Sequence, residues 1–247
     1  MVPYTMNIEL DLKLYSCRST IFCVKEILYH GSNKIVDKPE YRLGTVNNDY
    51  GRGFYCTNEY DLAGEWAVES ERDGYINEYS LAIDELQILN LNDSWYCILD
   101  WLAILLENRR FDIQSDFGPE AVRFLKDNFS VPYNDYDVIK GYRADDSYFS
   151  FAQDFLNNTI SLATLDKSLR LGHLGEQTVI KSKRAFNSID FVRYHKAESK
   201  KYYPSKENRD TKAREEYRKL RGEAWKKGEI YLMQIIDREL TRDELFV

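Results

Sequence analysis

Three adjacent residues early in the chain, His30-Gly31-Ser32, are suited to holding a sugar and an amide. They follow a short apolar run, which predicts a buried strand ending at the histidine. At a strand end, His30 can hydrogen-bond a sugar hydroxyl, and Ser32 can add a second hydroxyl contact. Gly31 has no Cβ, so its backbone can approach a ligand closely and pair with a carboxamide. This segment therefore predicts a binding site for a polar ligand.

A second group, Gly51-Arg52-Gly53-Phe54-Tyr55, supplies a tight turn and an aromatic ring. Its two glycines let the loop bend sharply, so that Tyr55 points into a cleft. Trp66 follows on a predicted helix whose apolar face covers the same cleft. Because flat rings stack on aromatic side chains, Tyr55 and Trp66 can hold a planar ligand ring between them.

The order of these groups resembles the NAD clamp of ADP-ribosyltransferases of the diphtheria-toxin and poly(ADP-ribose) polymerase type. His30-Gly31 matches the family's histidine-glycine pair, and Tyr50-Gly51-Arg52-Gly53-Phe54-Tyr55-Cys56 is similar to its Phe-Gly-Lys-Gly-Ile-Tyr-Phe loop. The chain has Ala63 where the family has a carboxamide-binding serine, and Trp66 where the family has a second stacking aromatic. The resemblance implies NAD as the substrate, with nicotinamide between two aromatic rings. The NAD-binding residues that it implies are His30, Gly31, Ser32, Gly53, Tyr55 and Trp66.

The third element of such transferases is a glutamate that opens a late strand, and the candidate segment here is Gly175-Glu176-Gln177-Thr178. Either Glu176 or Gln177 can stand at the strand entry, and neighbours on a strand point to opposite faces. A carboxylate there would bond the ribose and stabilise developing positive charge. An amide could hold the sugar but would not act as an anion. The catalytic residues implied are Tyr55 and either Glu176 or Gln177.

Further stretches resemble an uncharacterised bacterial and phage-borne ADP-ribosyltransferase-like family of unknown function. They are Tyr136–Phe149, Leu171–Gln177 and Arg209-Asp210 with Ala213-Arg214. The resemblance then extends over roughly residues 26–240. Members are often encoded beside a small helical protein, which implies a toxin and a cognate antitoxin. Within the first stretch, Arg143 is expected to pair with a phosphate of the dinucleotide.

Composition indicates one large globular domain. The 247 residues are 43% hydrophobic and 30% charged, which argues against disorder, and the net charge of -7 argues against a general nucleic-acid binder. The apolar runs are too short and too interrupted to span a bilayer, so no membrane partner is expected. The four cysteines include no Cys-x-x-Cys pair and have no nearby histidine, which predicts reduced thiols in a cytoplasmic protein and no metal site.

The predicted elements mix strands and helices without a βαβ rhythm. This pattern indicates an α+β fold in which two small packed sheets form a cleft. Residues 1–25 are expected to form an N-terminal extension with one strand, Ile8–Leu14, ahead of a domain over about 26–240. A helical insertion is expected near 93–130, and its first helix is predicted over Trp95–Asn108.

The C-terminal part differs in composition. Near 205–227, interspersed charges of both signs predict an exposed helix supported by pairs four residues apart. The apolar run Ile230–Ile236 predicts that the chain then returns to the core.

The function expected from these residues is mono-ADP-ribosyl transfer from NAD to a macromolecular target, protein or nucleic acid, with release of nicotinamide. With water as the acceptor, the same residues would make an NAD glycohydrolase. Two further interpretations belong to other classes. One is a non-catalytic module that binds NAD or ADP-ribose, which is favoured by Ala63 and by the ambiguity over whether Glu176 or Gln177 faces the cleft. The other is an interaction protein that binds a partner through the charged helix.

Overall fold

The structure, a computed structural model, describes residues 24–113, 116–144, 146–171, 175–222 and 227–245. The strand expected at Ile8–Leu14, and with it nearly all of the expected N-terminal extension, lies outside the described residues.

The described residues contain two small β-sheets. Their strands are β1 Lys25–Ser32, β2 Phe54–Cys56, β3 Gly74–Ala82, β4 Ile88–Asn90, β5 Val138–Tyr142, β6 Glu176–Ile180 and β7 Ile189–Ala197. The first sheet is antiparallel and has β3 between β1 and β7. The second sheet has the order β2-β6-β5-β4, in which β4 and β5 run parallel and the other neighbours antiparallel. The α+β class and the two small sheets predicted from the sequence are confirmed.

Helices cover both sheets. They are α1 Tyr60–Ala67, α2 Ile98–Asn108, α3 Gly118–Phe129, α4 Asp146–Leu156, α5 Leu162–Ser168, α6 Lys183–Asn187, α7 Ser199–Gly222, α8 Leu232–Asp237 and α9 Arg242–Leu245, with a 3-10 turn at Tyr133–Asp135. Within the part of the chain that the structure describes, no helix combines the length and apolarity that a membrane span needs.

The two sheets pack against each other, and a pair of backbone hydrogen bonds links them. Leu28 of the first sheet lies in one apolar cluster with Cys56 and Ile180 of the second. At the edge of that cluster, the N–H of Tyr29 donates to the carbonyl of Thr57 over 2.7 Å, and the N–H of Thr57 donates back over 2.9 Å. This bridge brings the C-terminal half of β1 close to β2 and so places the His30 segment beside the Gly-x-Gly loop.

The main core lies where α2, α3 and α4 pack beside the second sheet. Trp101, Leu125 and Phe151 are buried there together with Ile139 of β5. The helical insertion expected near 93–130 corresponds to α2 and α3. Its helices therefore belong to the core beneath the cleft.

The predicted start of the first insertion helix at Trp95 is wrong, because α2 begins at Ile98. Asp100 accepts a hydrogen bond of 2.6 Å from the N–H of Cys97, which caps the helix at that point. Trp95 lies outside the helix and is 79% exposed.

The charged helix predicted near 205–227 is α7, and it begins earlier, at Ser199. Two tyrosines anchor it: Tyr202 packs on Gly64 of α1, and Tyr217 stacks on Phe151 with ring centroids 3.8 Å apart. The expected return of the chain to the core is confirmed in α8, where Leu232 and Ile235 are buried.

Candidate functional site

A cavity of about 650 Å3 opens between the two sheets, and most of the predicted site residues line it. A volume of this size is typical of small-molecule sites. From the first sheet come residues of β1, from the second come residues of β2 and β6, and α1 closes one side. The predicted residues that line it are His30, Ser32, Gly53, Tyr55, Trp66, Arg143 and Gln177.

His30 reaches across from the first sheet to the second. Its Nδ1 lies 2.7 Å from the carbonyl oxygen of Tyr55, and its ring lies 4.4 Å from that of Phe54 between centroids. A carbonyl only accepts, so Nδ1 carries the proton and Nε2 remains an acceptor in the neutral ring. Burial lowers the pKa of His30, and the hydrogen bond to Tyr55 offsets this effect only in part. The net lowering keeps the imidazole neutral at pH 7. The group left for a ligand is an acceptor nitrogen, which suits a sugar hydroxyl.

Gly31 packs against helix α1, whereas its neighbour Ser32 lines the cavity. A Cβ on Gly31 would lie 2.0 Å from the carbonyl oxygen of Ala63 and 2.7 Å from the nitrogen of Ala67. The glycine is therefore required by the close approach of β1 to α1, and Gly31 is missing from the described residues that line the cavity. Ser32 does line it. Ala63 is fully buried in α1.

The Gly-x-Gly loop is tied together by the phenol of Tyr55. Its hydroxyl donates to the carbonyl of Gly51 over 2.6 Å and accepts from the N–H of Tyr50 over 3.1 Å. Gly51 has a φ of +71°, a conformation that favours glycine. Burial raises the pKa of Tyr55, so the phenol stays protonated and this bond persists. The tyrosine lines the cavity with its ring and holds the loop with its hydroxyl.

Trp66 and Arg143, which both line the cavity, contact each other. The guanidinium of Arg143 lies 4.8 Å from the ring centroid of Trp66, within the range of a cation–π contact. One face of the ring predicted to stack on nicotinamide is thus covered by Arg143. The indole Nε1 of Trp66 is buried and has no hydrogen-bond partner among the described residues. The sandwich by Tyr55 and Trp66 stays a prediction.

On β6 it is Gln177 that faces the cavity. Gln177 is 3% exposed and lines the cavity, whereas Glu176 is exposed and borders a separate depression with Glu59 and Arg170. Of the two candidates at the strand entry, the inward residue is therefore the amide. Its Nε2 donates to a carboxylate oxygen of Asp49 over 2.9 Å and to the carbonyl of Tyr142 over 3.0 Å.

Asp49 and Arg109 line the cavity and were missed by the sequence reasoning. Asp49 directly precedes the Gly-x-Gly loop and is 6% exposed, and Arg109 follows the last residue of α2. Arg109 Nη1 lies 3.0 Å from Asp49 Oδ1, and the N–H of Ala144 donates to Asp49 Oδ2 over 2.8 Å. Burial raises the pKa of Asp49, while these donors and the amide of Gln177 lower it in part. The only signal in the sequence was the position of an acidic residue beside the loop.

A buried amide holds the rim of the cavity. The segment Lys34–Val36 lines the cavity. Asn77 on β3 accepts from the N–H of Val36 over 3.0 Å and donates to the carbonyl of Lys34 over 3.3 Å. Tyr79 donates its hydroxyl to the carbonyl of Val36 as well. An asparagine inside a strand gave no sign of this role in the sequence.

No group of three or more histidine, cysteine, aspartate or glutamate side chains placed to hold a metal ion occurs within the described ranges. Residues 26–191 match the model of a family described as a protein of unknown function (DUF3990). Neither a curated protein nor a solved structure matches the chain.

Proposed function

This chain belongs to the DUF3990 family of proteins of unknown function, and we propose that it transfers ADP-ribose from NAD to a macromolecular acceptor and releases nicotinamide. The observation that carries the proposal is the convergence of His30, Tyr55 and Trp66 on one cavity between the two sheets. These residues come from β1, β2 and α1, and the resemblance of the sequence to ADP-ribosyltransferases assigns all three to NAD.

The polar groups of the cavity suit a dinucleotide. His30 presents an acceptor nitrogen for a ribose hydroxyl, and Ser32 adds a hydroxyl beside it. Arg109 lines the same cavity and is paired with Asp49, and three further cationic side chains of the lining, Lys34, Lys38 and Arg143, complement a pyrophosphate. Trp66 and Tyr55 supply the aromatic surface for the nicotinamide ring.

In the proposed reaction, the bond between nicotinamide nitrogen and ribose carbon breaks. The nicotinamide leaves with the bonding electrons as a neutral molecule, and the ribose carbon becomes cationic. A nucleophile of the acceptor then bonds this carbon and loses its proton. Catalysis of such a step rests on acceptor groups held beside the developing positive charge. Gln177, whose side chain lines the cavity, is the strand residue available for that role.

A second candidate is a non-catalytic module that binds NAD or ADP-ribose. The observation that favours it is the inward amide of Gln177 where related transferases carry a glutamate, together with the outward position of Glu176. With water as the acceptor, the same cavity would instead serve an NAD glycohydrolase. We also propose, on the resemblance alone, a toxin whose activity a small helical antitoxin blocks.

The experiment that tests the proposal is nicotinamide release from labelled NAD by the purified protein, with and without bacterial lysate. His30→Ala and Tyr55→Ala are expected to abolish release. Glu176→Ala is the matched control, because Glu176 lies on the same strand as Gln177 but outside the cavity, and we expect it to keep the wild-type rate.

The outcomes separate the candidates. Release that depends on lysate, with label appearing in macromolecules, supports a transferase, and lysate-independent release supports a glycohydrolase. NAD binding without release supports the non-catalytic module. A wild-type protein that does not bind NAD at all contradicts every version of the proposal.

A further inference from the structure

The cavity contains a buried negative charge in addition to the residues implied by the resemblance. Asp49 is 6% exposed, whereas the other acidic residues of the lining, Asp37 and Glu40, stand at the exposed rim. Burying a carboxylate is costly unless charged and polar partners compensate it. Arg109 and the N–H of Ala144 compensate this one on two sides.

The third partner of Asp49 is Gln177, and this contact fixes the direction of the amide. Oxygen and nitrogen of an amide are told apart by their partners. Both atoms facing Nε2, Asp49 Oδ2 at 2.9 Å and the carbonyl oxygen of Tyr142 at 3.0 Å, are acceptors. Nε2 must therefore point to them with both of its protons. The carbonyl oxygen Oε1 is what Gln177 can offer to a ligand.

The carbonyl of Tyr142 is itself held in place. It accepts the hydroxyl of Tyr50 over 2.9 Å and the indole N–H of Trp101 over 3.2 Å, in addition to Gln177. Both donors come from buried side chains, so the acceptor cannot turn away from the amide. Gln177 is clamped between a fixed carbonyl and a charged carboxylate.

We propose that Asp49 is a positioning residue which orients and polarises Gln177, so that the carbonyl oxygen of this amide performs the task of the inward carboxylate of related transferases. A hydrogen bond from an amide N–H to a carboxylate draws electron density toward the amide oxygen, because bonds in a chain polarise one another. Oε1 then accepts a ribose hydroxyl and carries additional negative charge beside the cationic ribose carbon. The inference rests on the proposed function. It assigns to the pair Asp49 and Gln177 the role that an inward glutamate has in related transferases.

The first test is Asp49→Asn, measured by NAD affinity and by the turnover number for nicotinamide release. An asparagine keeps the shape of the side chain, but its NH2 group must replace one carboxylate oxygen. It then faces either Arg109 or the N–H groups of Ala144 and Gln177, and two donors cannot hydrogen-bond each other. We expect turnover to fall about 10²-fold, the usual effect of disrupting a group that stabilises charge in the transition state. The Kd for NAD is expected to change by less than about threefold, because the binding contacts at His30 and Arg143 remain.

The matched control is Asp137→Asn. Asp137 is a comparably buried carboxylate, 5% exposed, paired with Arg184 and bonded to the N–H of Gln87 over 2.7 Å, and it does not line the cavity. We expect it to lower the free energy of unfolding while turnover stays at the wild-type value. An Asp49→Asn protein that binds NAD and releases nicotinamide at the wild-type rate overturns the inference and leaves the proposed function standing.

A second variant keeps the inference testable where Asp49→Asn folds poorly. Gln177→Met preserves length but removes the amide, and it is expected to lower turnover at least as much as Asp49→Asn does. The double variant is expected to be no slower than Gln177→Met alone, because Asp49 acts only through this amide. Losses that add, or wild-type turnover in Gln177→Met, overturn the inference. A wild-type protein that neither binds NAD nor releases nicotinamide instead contradicts the proposed function itself.

Discussion

The imidazole of His30 and the backbone carbonyl of Tyr55 join the two sheets beside the cavity, with Nδ1 and the oxygen 2.7 Å apart. His30 belongs to β1 and Tyr55 to β2. The contact fixes the neutral tautomer of the histidine and leaves Nε2 as an acceptor. One hydrogen bond thus sets both the relation between the sheets at this point and the chemistry that the first sheet offers to a ligand.

Acid is expected to weaken both NAD binding and folding through His30. The pKa of this residue is lowered by burial from its ordinary value of 6.5, so the unfolded chain binds the proton more readily than the folded one. The contribution of neutral His30 to the free energy of unfolding is therefore fully present above pH 6.5, and it is lost as pH falls through the pKa of the folded state. Protonated Nε2 also becomes a donor and can no longer accept a ribose hydroxyl. Urea unfolding and NAD titration between pH 5 and pH 8 measure the two effects.

The variant His30→Gln should flatten both pH dependences. His195→Gln is the control for NAD affinity only, which it should leave unchanged because His195 lies outside the cavity on β7. Equal acid sensitivity in His30→Gln and the wild type would show that another group is responsible.

Gly31→Ala is expected to destabilise the fold severely. The new Cβ would lie 2.0 Å from the carbonyl oxygen of Ala63, which is backbone and cannot turn aside. Inserting a methyl group into such a contact forces a backbone shift that costs about 1–3 kcal/mol or more. Gly222→Ala at the end of α7 is the control, because its Cβ meets nothing within 4 Å. There we expect no loss of stability, because the new methyl group has open space around it. Urea unfolding of both variants gives the comparison, and equal stabilities would contradict the packing role of Gly31.

Tyr55→Phe is expected to loosen the Gly-x-Gly loop while keeping an aromatic ring in the cavity. The variant loses the hydroxyl that bonds the carbonyl of Gly51 and the N–H of Tyr50. Leaving such groups unpaired costs about 1–3 kcal/mol. We expect a lower free energy of unfolding and weaker NAD binding, measured by urea unfolding and calorimetry. Tyr194→Phe, at a tyrosine that is 49% exposed on β7, serves as the control and should change neither. A Tyr55→Phe protein as stable as the wild type would refute this role of the hydroxyl.

Arg143→Gln is expected to affect the affinities for ADP-ribose and for nicotinamide differently. Loss of a guanidinium from a phosphate contact should raise the Kd for ADP-ribose about tenfold. The same change uncovers a face of Trp66, so the Kd for nicotinamide alone should stay constant or fall. Calorimetric titration with each compound tests this, and a parallel loss of affinity for both would place Arg143 against the nicotinamide rather than the phosphates.

Lys181 is expected to make stability rise at alkaline pH. Burial lowers its pKa from 10.5 to about 8, and its Nζ donates to the carbonyl of Tyr50 over 2.5 Å. The unfolded chain binds the proton more tightly, so this residue destabilises the fold below pH 8, and the penalty is relieved as pH rises from 8 toward 10.5. Lys181→Met should remove that rise in urea unfolding. An unchanged pH profile in this variant would assign the effect to other groups.

The sequence predicted the elements of the site better than the direction of its side chains. The strand that was expected to be buried and to end at His30 exists as β1, but it continues to Ser32 and only Leu28 of it is buried. The loop before β2 lies where its glycines indicate, because glycine marks a tight turn strongly. Alternation could not orient Gln177, since β6 lies inside its sheet and its residues Gln177 to Ile180 are all buried. A strand covered on both faces gives no period-two signal.

The partners of the site were hidden by distance along the chain. Asp49 meets Arg109 from the end of α2 and Gln177 from β6, and no local spacing predicts such contacts. The start of α7 was missed for a related reason. Tyr202 packs against Gly64, a contact distant in sequence, and the helix that carries it begins at Ser199, before the predicted charged helix near 205–227.

Helix α1 packs closely against β1 and against Tyr202 of α7, and each of these contacts depends on a glycine. Gly31 of β1 lies against one side of the helix, and Gly64 of the helix itself receives the ring of Tyr202 on the other. A larger residue at either position would push the helix, and with it Trp66, relative to the cavity. In evolutionary terms, the width of the ligand site is tied to two residues that need never touch a ligand. A relative with a bulkier side chain at position 31 or 64 should therefore recognise a differently shaped molecule or have rebuilt α7.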